Sequence, residues 1–200
     1  ADEFITRSSY GGMAFLPAVL KPQQSPHLIP EKIKDILALY DRDYDYMIID
    51  AGKSLSDLFV AVLNQANLIL LVVTPDILSI YQTKWILDTL RSLHFPYKMI
   101  RLVLNRAESV SGVSWQEVRV NLPIEIITQI PSEGKIVVQS VNKAVPVVIE
   151  SPKSRIAQAL KQFAGQLANT PELYVGLQEI SELQLKEAAL EKTGAVWRNE

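Results

Sequence analysis

Apolar runs of strand length alternate along this chain with stripes of helical period, and this alternation limits its fold more than any other feature. Residues 44–50 (YDYMIID), 68–74 (LILLVVT), 99–105 (MIRLVLN) and 124–127 (IEII) are the strand candidates. The second is almost wholly apolar, as expected of a strand covered on both faces. A shorter apolar stretch, Met13 to Leu16, is a further candidate. Between them lie helical patterns. Ile33, Ile36, Leu37 and Tyr40 repeat at i, i+3, i+4, i+7 behind Pro30, a residue favoured in a first helical turn. Leu55, Leu58, Phe59, Val62 and Leu63 follow the potential cap Ser54. Ile86, Leu87, Leu90 and Leu93 mark a third helix, and Ser114 with Glu117 has the spacing of a capping box. Ile156, Ala159, Leu160, Phe163 and Leu167 form a stripe behind Ser151-Pro152.

Strand, helix, strand, helix in this order predicts an α/β fold, a parallel sheet with right-handed crossovers and helices on both faces. Ligands of such sheets sit at the carboxyl ends of the strands. The residues to watch are therefore Asp50, Thr74, Asn105 and Pro131. Composition narrows the chemistry. There is no cysteine, so disulfides and thiolate metal sites are excluded, and neither His27 nor His94 has neighbours at metal-ligand spacing. The net charge is −2 with both signs scattered. No concentrated basic surface offers itself to nucleic acid, and none is expected to bind. The longest apolar run, residues 68–73, is too short to span a bilayer. The start, Ala1-Asp2-Glu3-Phe4, lacks the features of a signal peptide. The expected location is the cytoplasm.

Gly52-Lys53-Ser54 has the look of a phosphate-loop tail. The motif G-x-x-x-x-G-K-[ST] would place its first glycine at position 47, which is Met47. Only Ala51 separates Gly52 from the end of the candidate strand. That is too little loop to encircle a phosphate, and Gly11-Gly12 is followed by no lysine. Asp50 has two readings of its own. An aspartate ending a buried strand can hold Mg²⁺ through water when a phosphate loop lies on the next strand. It can equally cap the turn that follows.

The order of motifs resembles the MinD/ParA family of P-loop ATPases over roughly residues 13 to 168. Residues 44–50 resemble its Walker B strand, and residues 70–79 the strand and turn that come next. Residues 102–107 (LVLNRA) are similar to its asparagine-bearing strand end, and Ile130-Pro131-Ser132 to the loop bordering the base. Residues 139–146 and 151–154 resemble the family's C-terminal signature and last helix. Within the family, the chain looks most like the branch that positions pili, flagella or other polar machinery. The resemblance implies ATP and Mg as cofactors of the complete domain. Asp50 would be the catalytic and Mg-holding acid, acting through water. Asn105, Arg106, Pro131 and Ser132 would hold the nucleotide. It further implies an ATP-dependent positioning or partitioning switch that works as a homodimer with protein partners.

The departures matter as well. The family's phosphate loop, signature lysine and first acidic loop belong to an N-terminal half not found in this sequence. Residues 1–168 are therefore read as the C-terminal part of the nucleotide-binding domain, and 169–200 as a helical extension. Such a chain is not expected to catalyse alone or to bind a cofactor tightly. Ala51-Gly52-Lys53-Ser54 replaces the family's proline-rich turn, and Ala144 stands where glycine is common. The alternative is a non-catalytic, ATPase-like scaffold that docks partner proteins. Trp85, Trp115 and Tyr81 fall at helical positions and are expected to be core or partly buried packing, not stacking platforms. In the extension, Thr170-Pro171 has the form of a cap and first helical residue. Leu173, Leu177 and Ile180 share a face, extended by Leu183 and Leu190. The polar side carries Glu179, Glu182, Glu187 and Glu191 against Lys186 and Lys192. Anionic lipid would repel it, so packing on the core, a second subunit or a partner is expected, with no membrane binding.

Overall fold

A computed structural model describes residues 5–19, 28–108 and 113–192; His27 lies outside them, as do the side chains of Glu187, Leu190, Glu191 and Lys192. The chain divides into two compact units, residues 1–66 and 67–200. The second carries the parallel sheet. Its strands β3 (Ile69–Val73), β4 (Ile100–Asn105) and β5 (Ile126–Ile130) are hydrogen-bonded in the order β3-β4-β5, both pairs parallel. They are joined through α3 (Ile77–Ser92) and α4 (Trp115–Asn121), and followed by α5 (Gly134–Asn142), α6 (Val147–Glu150), α7 (Arg155–Asn169) and α8 (Leu177–Lys192). The expected α/β architecture is present.

β4 shows why the sheet forms. Successive strand residues point to opposite faces, and both faces of β4 are buried: Leu102 and Leu104 on one, Val103 on the other. Val103 packs with Ile130 of β5 and Ile156 of α7, and Leu70, Val137, Val147, Ala159, Leu160 and Phe163 close round them. Helix α3 buries Ile80, Thr83, Leu87 and Leu90, all on one side. Thr83 is tolerated there because its hydroxyl donates to the Ser79 carbonyl at 2.7 Å. The expected capping box of α4 is complete, with Ser114 accepting from the Glu117 N–H and the Glu117 side chain accepting from the Ser114 N–H.

The first unit holds a two-residue hairpin, β1 (Thr6–Arg7) paired antiparallel with β2 (Ala14–Phe15), and the helices α1 (Pro30–Tyr40) and α2 (Asp57–Leu63). The candidate strand over 44–50 is not formed. Among the described residues no ladder joins it, and Ile48 is 94% exposed. A strand exists only through its hydrogen-bonded neighbour, and apolar sequence alone does not supply one.

Three helix starts also differ from expectation. α2 is capped by Ser56, not Ser54, and α7 by Ser154, not Ser151. In both, the later serine is the one whose oxygen accepts the N–H three residues on. Thr170-Pro171 opens a 3-10 turn (Pro171–Leu173) without a side-chain cap, and α8 begins only at Leu177. Helices α5 and α6 have no counterpart among the helical patterns read from the sequence.

The tail does pack on its own unit. Leu173, Val175 and Ile180 are buried. The Val175 N–H donates to the Asn67 carbonyl at 3.0 Å, and the Asn67 amide returns a bond to the Val175 carbonyl at 2.9 Å. Lys98 pairs with Glu179. Among the described residues no helix is long and apolar enough to cross a membrane.

Ala144 keeps the left-handed turn that its position demands, at φ 52°. Its N–H reaches the Val141 carbonyl at 3.0 Å, and the Val145 N–H reaches the Ser140 carbonyl at 3.1 Å, closing α5. An L-residue with a Cβ is strained in that region by about 1–2 kcal/mol. Ala144→Gly should therefore stabilise the protein by about 0.5–1 kcal/mol once the freer unfolded chain is counted. Urea unfolding measures this, and an unchanged or lowered midpoint would mean that the turn carries no strain.

Candidate functional site

Parallel strands put their carboxyl ends on one edge of the sheet, and here three of the expected residues meet there. Thr74 follows Val73, which is in register with Leu104, so Thr74 and Asn105 lie one step beyond the same rung. Asn105 is in register with Ile130, and Pro131 follows it. The Ala107 N–H donates to the Ile130 carbonyl at 3.0 Å, tying the loop after β4 to the end of β5. Asp50, the fourth expected member, belongs to the other compact unit.

Each residue has a defined local role. Thr74 belongs to a tight cluster that starts α3. Its hydroxyl donates to Asp76 Oδ2 at 2.5 Å, its N–H to Ser79 Oγ at 2.9 Å, and the Ser79 N–H to Asp76 Oδ1 at 2.8 Å. The Thr74 hydroxyl, followed by the Ser79 N–H, holds the Asp76 carboxyl below the usual carboxylate range. The cap was legible as an acid three residues before a serine, within a turn noted only for its resemblance. Asn105 Oδ1 accepts from the Arg106 N–H at 3.0 Å, with Arg106 in the left-handed region at φ 55°. That bond fixes the amide plane at the strand end and turns Nδ2 into the group Asn105 can offer a ligand. Arg106 and Ser132 are exposed, and Pro131 is half-buried.

Two ion contacts frame this edge, and sequence had not suggested either. Glu133, just after Ser132, accepts the Ile156 N–H at 2.7 Å and so caps the start of α7. Arg155 pairs with Glu108, first by hydrogen bond and then by charge, which raises the arginine further. Both unite groups distant in sequence, so no local pattern announces them.

A nucleotide fits this set of groups only in part. At the edge of β4 and β5 stand an oriented amide, an arginine and a proline loop, suited to a planar heterocycle. The phosphate side is different. The sequence holds no G-x-x-x-x-G-K-[ST], and among the described residues no group of three His, Cys, Asp or Glu could hold a metal ion. Asp50 Oδ1 accepts the Gly52 N–H at 3.0 Å, with Gly52 at φ 68°, so the carboxylate caps its own turn.

No protein-family model matches the chain. Among curated relatives, a putative septum site-determining protein MinD of Guillardia theta is 26% identical over 188 residues, 84% of this chain and 69% of the relative. Septum site-determining protein MinD of Thermotoga maritima is 25% identical over 143 residues, 69% of this chain and 52% of the relative. The chain thus spans between about half and about two thirds of these relatives' length. A ParA family ATPase from Chlorobium tepidum superposes with a TM-score of 0.76 at 23% identity, covering 82% of this chain and 68% of that one. MinD of Pyrococcus horikoshii, complexed with Mg-ADP, gives 0.69 at 19%, over 84% and 70%. Aquifex aeolicus MinD in a MinC:MinD complex gives 0.65 at 25%, over 82% and 66%.

The Asp76 cluster yields a pH test. A carboxyl whose folded pKa is depressed adds stability that is full above its unfolded value and is lost as pH falls through the folded one. Asp76→Ala should cost about 1 kcal/mol at neutral pH, the usual worth of a cap. The difference from wild type should shrink as pH falls through the carboxylate range; a difference that stays constant down to about pH 2 would disprove the linkage. The parallel sheet, the ordered strand ends and the relatives agree: this chain has the fold of the MinD/ParA-type P-loop ATPases and is similar in sequence to proteins named MinD.

Proposed function

We propose that the chain supplies the base-side, C-terminal part of an ATP-dependent positioning switch, whose phosphate loop comes from residues outside these 200. One observation carries this reading: two apolar segments lack the strand partner their composition calls for. β3 is wholly apolar yet paired only with β4 among the described residues, and Val72 is 63% exposed. Residues 47–49 are apolar and exposed, and join no ladder among the described residues. An unprotected apolar edge is a pairing site, and a strand leading into a phosphate loop would give both segments a neighbour. Asn105 would then read the adenine, with Arg106, Pro131 and Ser132 around it. Asp50 would hold Mg²⁺ through water beside the transferred phosphate. The relatives' names point to septum placement; pilus, flagellum or chromosome positioning are finer versions of the same task. A cytoplasmic, dimeric protein suits this role.

Calorimetry tests the division of labour. The 200-residue chain alone should bind Mg-ATP weakly, with a Kd above about 1 mM, and turn none over. Tight, Mg-dependent binding would reveal a phosphate site within the chain and end the proposal. In a protein completed by the phosphate loop, Asp50→Ala should lower turnover by about a hundredfold while barely moving adenine affinity. Asn105→Ala should do the reverse, weakening nucleotide binding by about tenfold.

A second reading, a docking scaffold, has its own support on α3. Leu78, Tyr81 and Trp85 are 70%, 75% and 56% exposed, on the side of the helix opposite Ile80 and Leu87. The packing expected of Tyr81 is thereby corrected, while Trp85 and Trp115, at 56% and 40% exposure, are partly buried at most. A periodic stripe can be apolar without facing a core, and periodicity does not distinguish the two faces. Such a patch suits a protein partner. The double change Tyr81→Ser with Trp85→Ser should leave stability within about 0.5 kcal/mol; a loss above about 2 kcal/mol would return these side chains to the core.

A further inference from the structure

The turn that follows β5 is held at both ends by one residue of α7. Ile130, the last residue of β5, packs with Ile156 and Val103. Three residues on, the Glu133 carboxylate accepts the Ile156 N–H at 2.7 Å. Ile156 is buried and stands second in a 15-residue helix, so it is a firm anchor. Pro131 and Ser132 lie between the two attachments. Glu133 is also fixed through its backbone, since its carbonyl accepts the Val137 N–H at 3.1 Å where α5 begins.

The loop after β4 is moored to the same turn of α7. Glu108 pairs with Arg155, the residue before Ile156, and the Ala107 N–H donates to the Ile130 carbonyl at 3.0 Å. Both side chains of the Arg155–Glu108 pair are more than half exposed, so its hold is weak. The Glu133 bond is the stronger one, a carboxylate on an N–H at the positive end of a helix. Helix α7 does not depend on it to begin, because Ser154 Oγ already accepts the Ala157 N–H at 3.2 Å. Farther along, α7 and β5 are parted by a cleft of about 370 Å³, with residues 126–129 on one side and Ala159, Gln162, Phe163 and Gln166 on the other. The first turn of α7 is thus where the helix grips the carboxyl end of the sheet.

We infer that Glu133 is a positioning residue: by bonding the turn after β5 to the first turn of α7, it holds Pro131 and Ser132 beside Asn105, a role that rests on the base-side reading of Asn105. Asn105 is in register with Ile130, so the turn begins one step beyond the oriented amide. A flat heterocycle placed between that amide and a proline loop needs both walls at a set separation. Glu133 sets it without touching the ligand. A turn that is ordered before the ligand arrives loses little freedom on binding, and the affinity is correspondingly greater. Released from α7, the turn would have to be ordered by the ligand.

Amide NMR of the 200-residue chain, with AMP as the probe, tests this. In wild type, AMP at up to about 20 mM should shift the amides of Asn105, Arg106 and Ser132. Glu133→Ala should weaken AMP binding about fivefold or more, and should speed hydrogen exchange at Ala107 by about tenfold without any ligand. Ser154→Ala removes the other cap of the same helix turn. It should speed exchange at Ala157 yet leave AMP affinity and Ala107 unchanged. Glu133→Gln keeps an acceptor oxygen and should bind AMP within about twofold of wild type. If Asn105→Ala weakens AMP while Glu133→Ala does no more than Ser154→Ala, the base side stands and the positioning role falls. If wild type shows no AMP shifts at Asn105 and Ser132, the base-side reading fails and takes this inference with it.

Discussion

The parallel pairing of β4 with β3 on one side and β5 on the other is the interaction on which the rest depends. A parallel ladder cannot be closed by a tight turn, so each strand must be followed by a crossover that returns the chain to the same end. That requirement produces α3 and α4; Leu102 and Leu104 are buried on one face of β4, and Val103 on the other packs against Ile156 of α7. It also collects Thr74, Asn105 and Pro131 at one edge, though they are far apart in sequence.

The two ends of this sheet have different tasks. At the amino ends the chain holds itself together: the paired bonds of Asn67 with Val175, the ion pair of Lys98 with Glu179, and the burial of Leu173 and Ile180 bring the tail against the starts of β3 and β4. At the carboxyl ends polar groups are oriented by short bonds to their own loops, as Asn105 is by the Arg106 N–H and Asp76 by Thr74 and Ser79. An end fixed by packing and an end lined with held polar groups is the division of labour expected of ligand-binding α/β sheets.

Strand edges and helix backs tell the complementary story. Among the described residues β3 and β5 are both edges, but one is wholly apolar and the other carries Thr128 and Gln129. Likewise α3 turns aromatic side chains outward where α7 turns amides. Burial against the sheet explains the chemistry of neither pair of surfaces.

Sequence by itself determined the α/β class, the three ladder strands, the capping box at Ser114 and the residues at their carboxyl ends, because each rests on local periodicity or on a short contact between near neighbours. It misjudged 44–50, where apolar composition predicts a strand but only a hydrogen-bonded neighbour makes one. It misjudged Tyr81, because a stripe of period 3.6 does not say which side faces the core. The starts of α2, α7 and α8 went astray among adjacent serines and prolines, where competing caps differ by about 1 kcal/mol. Glu133 on α7, Arg155 on Glu108, the clasp of Asn67 on Val175 and the cleft beside β5 were decided by the tertiary structure alone, since each joins groups that meet only after the chain has folded.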